Sequence, residues 1–161
     1  MSLSQEIEQQ WKQLLSGKDR GGPLGPLSAD TPHGRLDCEL LEIDALGCSL
    51  ARLRLRTDRL DAAQAEDLRR LGTALGQRLR YLLEPIGVVE LDGEAATLQM
   101  RSCPPQANEQ GHTYYELTAR RGELCLCRYH KPPGGPRQVI PATVTREVLA
   151  RLAHDFDQAL E

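Results

Sequence analysis

The segment TYYELTARRGELCLCRYH, residues 113–130, decides the fold because its two halves are complementary strands. Arg121-Gly122 has the form of a two-residue hairpin turn, and such a turn sets the register of the strands on either side. The predicted register places four pairs on a mixed face: Arg120–Glu123, Thr118–Cys125, Glu116–Cys127 and Tyr114–Tyr129. It places three pairs on a second face: Ala119–Leu124, Leu117–Leu126 and Tyr115–Arg128. The second face is the more apolar, so we expect it to pack on the core.

Two more hairpins are predicted upstream. Residues 35–57 contain the turn Asp44–Gly47, with Gly47 suited to a left-handed conformation, and residues 87–102 contain the turn Asp92-Gly93. A short strand is expected over 137–140. Strands grouped in hairpins favour an antiparallel sheet with helices packed on it.

Three helices are predicted around these strands. The central one, 61–83, begins with a capping box of Asp61 and Gln64 and ends before Pro85. At 1.5 Å per residue it would be about 35 Å long. Its apolar stripe is Leu68, Leu71, Leu75, Leu79 and Leu82. Gly72 and Gly76 favour close packing on the sheet. A C-terminal helix runs over about 145–160, with Thr145 as its cap.

The predicted fold is therefore α+β: an antiparallel sheet of about three hairpins, one long central helix, a C-terminal helix and a separate N-terminal helix. Residues 1–15 are assigned to an N-terminal docking helix, 16–33 to a Gly/Pro-rich linker and 34–161 to a single α+β domain. The linker would let the first helix, which carries Trp11, dock on a second subunit, so a homodimer through this helix is one expectation.

The charge balance bears on the class of partner. The formal net charge is −3, which argues against general nucleic-acid binding. Residues 101–137, however, hold six Arg or Lys and three Glu and are therefore +3. Nucleic-acid or phosphate binding through this segment stays an alternative. No stretch has the roughly 18 apolar residues of a membrane helix, and the N-terminus lacks secretory character, so we expect a cytoplasmic protein that does not bind membranes.

Five cysteines raise the question of a metal or thiol site. The candidate ligands are Cys103, His112, Cys125, Cys127 and His130. Zinc ligands must converge on one tetrahedral centre, whereas a regular strand directs His130 away from the two neighbouring cysteines. We therefore predict no metal, no cofactor and no catalytic residue. A small thiol- or metal-dependent enzyme using the Cys125/Cys127 region remains an alternative.

Binding residues are predicted around the loops 103–112 and 131–138. A basic group beside two tyrosines suits an acidic peptide or a phosphate. The candidates are Arg101, Tyr114, Arg128, Tyr129, Lys131 and Arg137. A separate basic row, Arg52, Arg54 and Arg56, is expected to pair with acidic residues of the preceding strand, Asp37, Glu39 and Glu42.

Five segments carry a resemblance to a known family: RYLLEPIGVVELDG, LQMRSCPP, YYEL, CRYHKPPGGPRQ and IPATVTREVLARL. They resemble an uncharacterised bacterial family of the planctomycete type, over about residues 35–157. The family has no assigned activity, so the resemblance implies no catalytic residue. The predicted architecture is more loosely similar to that of dimeric type III secretion chaperones. Together with the absence of catalytic motifs, this favours a non-enzymatic protein-binding domain, chaperone- or adaptor-like.

Overall fold

Ten antiparallel strands form one sheet, and three helices pack on one of its two faces, which confirms the predicted α+β class. A computed structural model describes residues 1–161. The helices are α1 Leu3–Asp19, α2 Ala65–Arg78, followed by a 3₁₀ turn Leu79–Leu82, and α3 Arg146–Gln158. The strands are β1 Leu27–Thr31, β2 Gly34–Ile43, β3 Gly47–Arg56, β4 Ile86–Asp92, β5 Thr97–Ser102, β6 Gln106–Asn108, β7 Gly111–Arg120, β8 Glu123–Lys131, β9 Gln138–Ile140 and β10 Ala142–Thr145.

The main path of the sheet is β1-β2-β3-β8-β7-β5-β4. The β7–β8 hairpin has the predicted register throughout, from Arg120 opposite Glu123 to Tyr114 opposite Tyr129. Its apolar face joins the core beneath the helices, where Leu117, Leu124 and Leu126 are almost fully buried. The sequence pattern of this hairpin therefore positions the centre of the sheet.

Strands β3 and β8 pair over a short stretch only. The pairing runs from Leu53 opposite Leu126 to Arg56 opposite Glu123. Beyond it, β8 pairs with β9 and the start of β3 pairs with β10. The strand expected at 137–140 is thus present as β9, and it helps to fill the fork between β3 and β8.

The central helix is shorter than predicted. It begins at Ala65, and its capping box joins Gln64 to Asp67 instead of Asp61 to Gln64. The backbone tightens into a 3₁₀ turn after Arg78. Gly72 does allow the close packing on the sheet that was expected, since a Cβ atom there would lie 2.8 Å from Val88 Cγ2.

The turn of the β2–β3 hairpin lies where the sequence predicts it, but Gly47 is not left-handed. Asp44 Oδ1 accepts hydrogen bonds from the backbone N–H groups of Leu46 and Gly47. A Cβ atom at Gly47 would lie 2.6 Å from the Val144 carbonyl oxygen. Close approach of β10 therefore explains this glycine.

Half of the segment predicted as a linker over 16–33 is helix or strand. Helix α1 continues to Asp19, and residues 27–31 form β1, which pairs with β2. The glycines and prolines that suggested a linker are concentrated in residues 21–26. Strand β1 alternates buried Leu27 and Ala29 with exposed or half-buried neighbours, as an edge strand against a core does.

Helix α1 docks on its own chain. Ile7 and Trp11 lie in the core, and Trp11 Nε1 donates a hydrogen bond of 2.9 Å to the Asp44 carbonyl oxygen. The helix contacts β1 and α3, with Arg146 Nη2 3.2 Å from Glu8 Oε1. The apolar face of the first helix is therefore already used within one chain.

Candidate functional site

The face of the sheet opposite the helices carries the candidate site, which we call the open face. Side chains alternate along each strand, so residues two apart on β3, β5, β7 and β8 share this face. Its residues are Arg52, Arg54, Arg56, Gln99, Arg101, Tyr114, Glu116, Thr118, Arg120, Glu123, Cys125, Cys127 and Tyr129, with Arg137 from the loop before β9. These include six arginines and two glutamates, a formal charge of +4 on the central strands, and β2 adds Arg35, Asp37 and Glu39 to the same face.

One end of the open face is organised around Glu116, and we call it the Glu116 cluster. The carboxylate is nearly buried, yet Arg101 Nε lies 3.4 Å from Oε1 and Arg137 Nη1 2.6 Å from Oε2. Gln99 Nε2 donates a further hydrogen bond to Oε1. The two arginines are about 40% exposed, so they cover the carboxylate and still face solvent.

Two tyrosines complete the Glu116 cluster. The rings of Tyr114 and Tyr129 lie 6.0 Å apart between centroids. The guanidinium of Arg137 lies 4.0 Å from the Tyr129 centroid, and that of Arg101 lies 5.2 Å from the Tyr114 centroid. Burial raises the pKa of Tyr129. The cluster thus offers flat aromatic surface beside two cations.

Next to this cluster lie the two thiols of β8. Cys125 and Cys127 share the open face and line a cavity of about 170 Å³ with Arg52 and Thr118. We call this the thiol pocket. Hydrogen bonding from Cys125, and then from Arg52, lowers the pKa of Cys127 despite its burial. The same interaction with Cys127, followed by burial, raises the pKa of Cys125. The pair therefore shares one negative charge more readily than two isolated thiols would.

The third part of the open face is a network of arginine and glutamate. Arg54 Nε lies 2.8 Å from Glu123 Oε2, and Arg120 also binds Glu123. Arg56 Nε lies 3.6 Å from Asp37 Oδ2. The predicted pairing of the basic row with β2 is therefore present at Asp37. Arg54 instead binds the β8 side.

The six predicted binding residues do not form one site. Arg101, Tyr114, Tyr129 and Arg137 meet in the Glu116 cluster. Lys131 is exposed at the end of β8.

Arg128 lies on the helix-covered side, within a second polar cluster that we call the Glu84 cluster. Arg128 Nη1 is 3.0 Å from Glu84 Oε2, and its guanidinium lies 4.3 Å from the Tyr115 ring centroid. Glu84 also accepts hydrogen bonds of 2.6 Å from Ser102 Oγ and 3.2 Å from Gln106 Nε2.

The five candidate metal ligands are mostly dispersed. Cys103 is exposed beyond the end of β5, and His112 is exposed at the start of β7. His130 lies on the other face from the thiols, as predicted, with Nδ1 2.9 Å from Thr113 Oγ1. Only Cys125 and Cys127 come together, and no three His, Cys, Asp or Glu side chains converge in a metal-binding arrangement.

Glu116, Arg52 and Arg54 form one site with the thiols that was not predicted from the sequence. The period-2 alternation placed the arginines on one face of β3. Their position beside Cys125 and Cys127 follows from β3 pairing with β8, two strands far apart in the chain. No local sequence signal carries such a pairing.

A larger groove of about 690 Å³ lies at the other end of β3, by the β2–β3 turn. Its lining includes Leu24, Leu46 and Val144, and Lys18 Nζ there donates to the Ile43 carbonyl oxygen at 2.6 Å. Two of the charged residues that line it, Lys18 and Asp44, already have backbone partners. We therefore place the candidate site on the open face.

No protein-family model and no curated protein matches the chain. Among solved structures, one similar chain is a DUF4468 family protein from Bacteroides ovatus, with 10% sequence identity and a TM-score of 0.33. The match covers 62% of this chain and 64%, just under two thirds, of the other. That similarity assigns no function to the present chain. No helix is both long enough and apolar enough to cross a membrane.

Proposed function

We propose that the chain is a non-enzymatic protein-binding domain, chaperone- or adaptor-like, whose open face holds an acidic segment of a partner protein. The observation that carries this proposal is the excess of six arginines over two glutamates on strands β3, β5, β7 and β8 and the loop before β9, on a sheet face that no helix covers. On the other face the helices bury the apolar side chains. The open face is thus the broad surface still available to a partner.

The chemistry of the open face supports a carboxylate-rich partner. Arginine presents a planar fork of donors that matches carboxylate groups. Arg52, Arg56 and Arg120 are exposed, and Arg101 and Arg137 are partly exposed with tyrosine rings beside them. Tyrosine and arginine are also the side chains that contribute most strongly at the centres of protein interfaces.

Nucleic acid suits this surface less well. Glu116 and Glu123 interrupt the arginines, so the face lacks the unbroken basic stripe along which a phosphate backbone binds. The basic segment 101–137 is also divided between faces, because Arg128 lies on the covered side. We therefore treat phosphate or nucleic-acid binding as the alternative, and the binding experiment below distinguishes it from binding of an acidic peptide.

The test measures binding of a fluorescein-labelled synthetic peptide rich in Asp and Glu by fluorescence anisotropy. The double charge reversal Arg52→Glu with Arg56→Glu should weaken binding by at least about tenfold, which is 1.4 kcal/mol. Arg69→Glu with Arg70→Glu is the matched control, because it makes the same change of net charge at two exposed arginines of α2. It should leave the affinity of the peptide unchanged.

Two outcomes would contradict the proposal. One is equal binding by the double variant and the wild type. The other is tighter binding of a labelled oligo-dT strand, with affinity that falls steeply as salt rises, which would favour the nucleic-acid alternative.

A homodimer through the N-terminal helix, as expected from the sequence, would require two copies of the chain to exchange α1. Ile7 and Trp11 are buried in their own chain, so a second subunit would have to replace these contacts. Light scattering over a hundredfold range of protein concentration tests this. A constant monomer mass would eliminate the exchange and leave the open face unaffected.

A further inference from the structure

The thiol pocket has a geometry that the proposed function does not use. Cys125 and Cys127 are two residues apart on β8, so their Cα atoms lie about 6.6 Å apart along the strand. Both side chains point to the open face and line one cavity. At a metal–sulfur distance of about 2.3 Å, two thiolates on opposite sides of an ion lie about 4.6 Å apart. Side chains that lean together from this spacing can reach that separation.

We propose that Cys125 and Cys127 bind one soft monovalent metal ion, Cu(I), through their two sulfur atoms. Thiolates select soft ions such as Cu(I) over hard ions. Two thiolates around Cu(I) carry a net charge of −1. Arg52, beside the thiols in the same cavity, supplies the compensating positive charge.

The surroundings of the thiols disfavour zinc. A structural zinc site requires four ligands in a tetrahedron. The nearest carboxylates, Glu116 and Glu123, are already bound to arginines. Cys103 lies beyond the end of β5 and is exposed, away from the thiol pocket. The site therefore offers two ligands, which is enough for an ion that accepts two-coordinate binding.

Binding of the ion should release protons. A thiol binds the ion only as a thiolate, so the pair must be deprotonated in the complex. The charged and titratable groups facing the pair are Arg52 and Arg54 from β3, Glu116 and Arg120 from β7, and Glu123 and Tyr129 from β8.

The experiment is an anaerobic titration of the full, reduced chain with Cu(I) alone, in competition with the chromophoric chelator bicinchoninate. Wild type should take up one ion per chain. Cys125→Ser and Cys127→Ser should each lose this uptake, whereas Cys103→Ser, which changes an exposed thiol outside the pocket, should retain it. Arg52→Ala should bind the ion about tenfold more weakly, the usual effect of removing a neighbour of the ligands.

A second measurement distinguishes the site from adventitious thiol binding. X-ray absorption at the copper edge should show two sulfur ligands, and light scattering should show no change of mass when copper is added. Copper-induced dimers, wild-type affinity in either serine variant, or a normal uptake with three or more ligands would overturn the proposal. Circular dichroism of the serine variants ensures that loss of uptake is not loss of fold.

Discussion

The Glu84 cluster and the Glu116 cluster are two versions of one arrangement on opposite faces of the same strand pair. Each has a nearly buried carboxylate, a neighbouring arginine and a tyrosine ring against which a guanidinium lies. Tyr115 and Arg128 point to the covered face, and their chain neighbours Tyr114 and Tyr129 point to the open face. The alternation of a β-strand thus places similar chemistry on both sides of the sheet.

The two clusters differ in how far their arginines are exposed to solvent. The Arg128 side chain is 13% exposed, beside the segment that follows α2, whereas that of Arg137 is 39% exposed. In the Glu84 cluster, Glu84 lies between the 3₁₀ turn and β4, so its contacts fix both of these elements against the core. The Glu116 cluster fixes no helix or turn against the sheet in this way. The same residue types therefore serve stability on one face and remain available for binding on the other.

The largest expected effect is on the closed side. Arg128→Met should lower the free energy of unfolding by about 3–5 kcal/mol, because it leaves the Glu84 carboxylate buried without its cation. Urea denaturation measures the change. The double variant Glu84→Gln with Arg128→Met is the control and should recover much of the loss. A loss below about 1 kcal/mol in the single variant would show that the Glu84 cluster is not structural.

The corresponding change on the open side should be much smaller. Arg137→Met should lower the free energy of unfolding by about 1 kcal/mol or less, because Glu116 keeps Arg101 and Gln99 and gains access to water. The same urea experiment applies. If Arg137→Met destabilises the chain as much as Arg128→Met, the two clusters are equivalent and the comparison fails.

The smallest effect on stability is expected for a substitution at the thiol pocket. There the substitution should alter the reactivity of Cys127 instead. Arg52→Ala should change the free energy of unfolding by less than about 0.5 kcal/mol, as exposed substitutions usually do. The rate of Cys127 alkylation by iodoacetamide depends on the thiolate fraction and so rises with pH through the thiol pKa. Arg52 helps to lower this pKa, so its removal should shift the midpoint to higher pH.

Peptide mass spectrometry of the alkylated chain gives the midpoint for each cysteine. Cys48, whose pKa burial raises to about 11, is the internal reference and should keep its profile in the variant. An unchanged Cys127 midpoint would show that Arg52 does not influence the pKa of this thiol. It would also argue against Arg52 as the charge that compensates a bound ion.

The parts of the fold that the sequence predicted are those set by local rules. The two-residue turn at Arg121-Gly122 specifies the register of β7 and β8 residue by residue, and Thr145 caps α3 as predicted. The candidate site was predicted only in fragments. Tyr114 and Tyr129 were paired correctly within their hairpin.

The remainder of the site depends on contacts between distant segments. Arg52 reaches the thiols because β3 pairs with β8, and Arg137 reaches Glu116 because β9 turns back along β8. Glu116 alone is an ordinary strand residue opposite a cysteine. Only the fold brings two arginines to it from strands and loops on either side. The same holds for β1, whose partner β2 gives order to a segment that its glycines and prolines made look like a linker.

The contact between α1 and α3 also determines when the chain can finish folding. Trp11 lies beneath Arg146, with the guanidinium 5.7 Å from its ring, and Glu8 binds the same arginine. A ribosome adds about 5–20 residues per second, so the helix made first waits on the order of ten seconds for the helix made last. During that interval the amphipathic segment that carries Trp11 lacks the helix that later covers it, so it is accessible to chaperones and proteases.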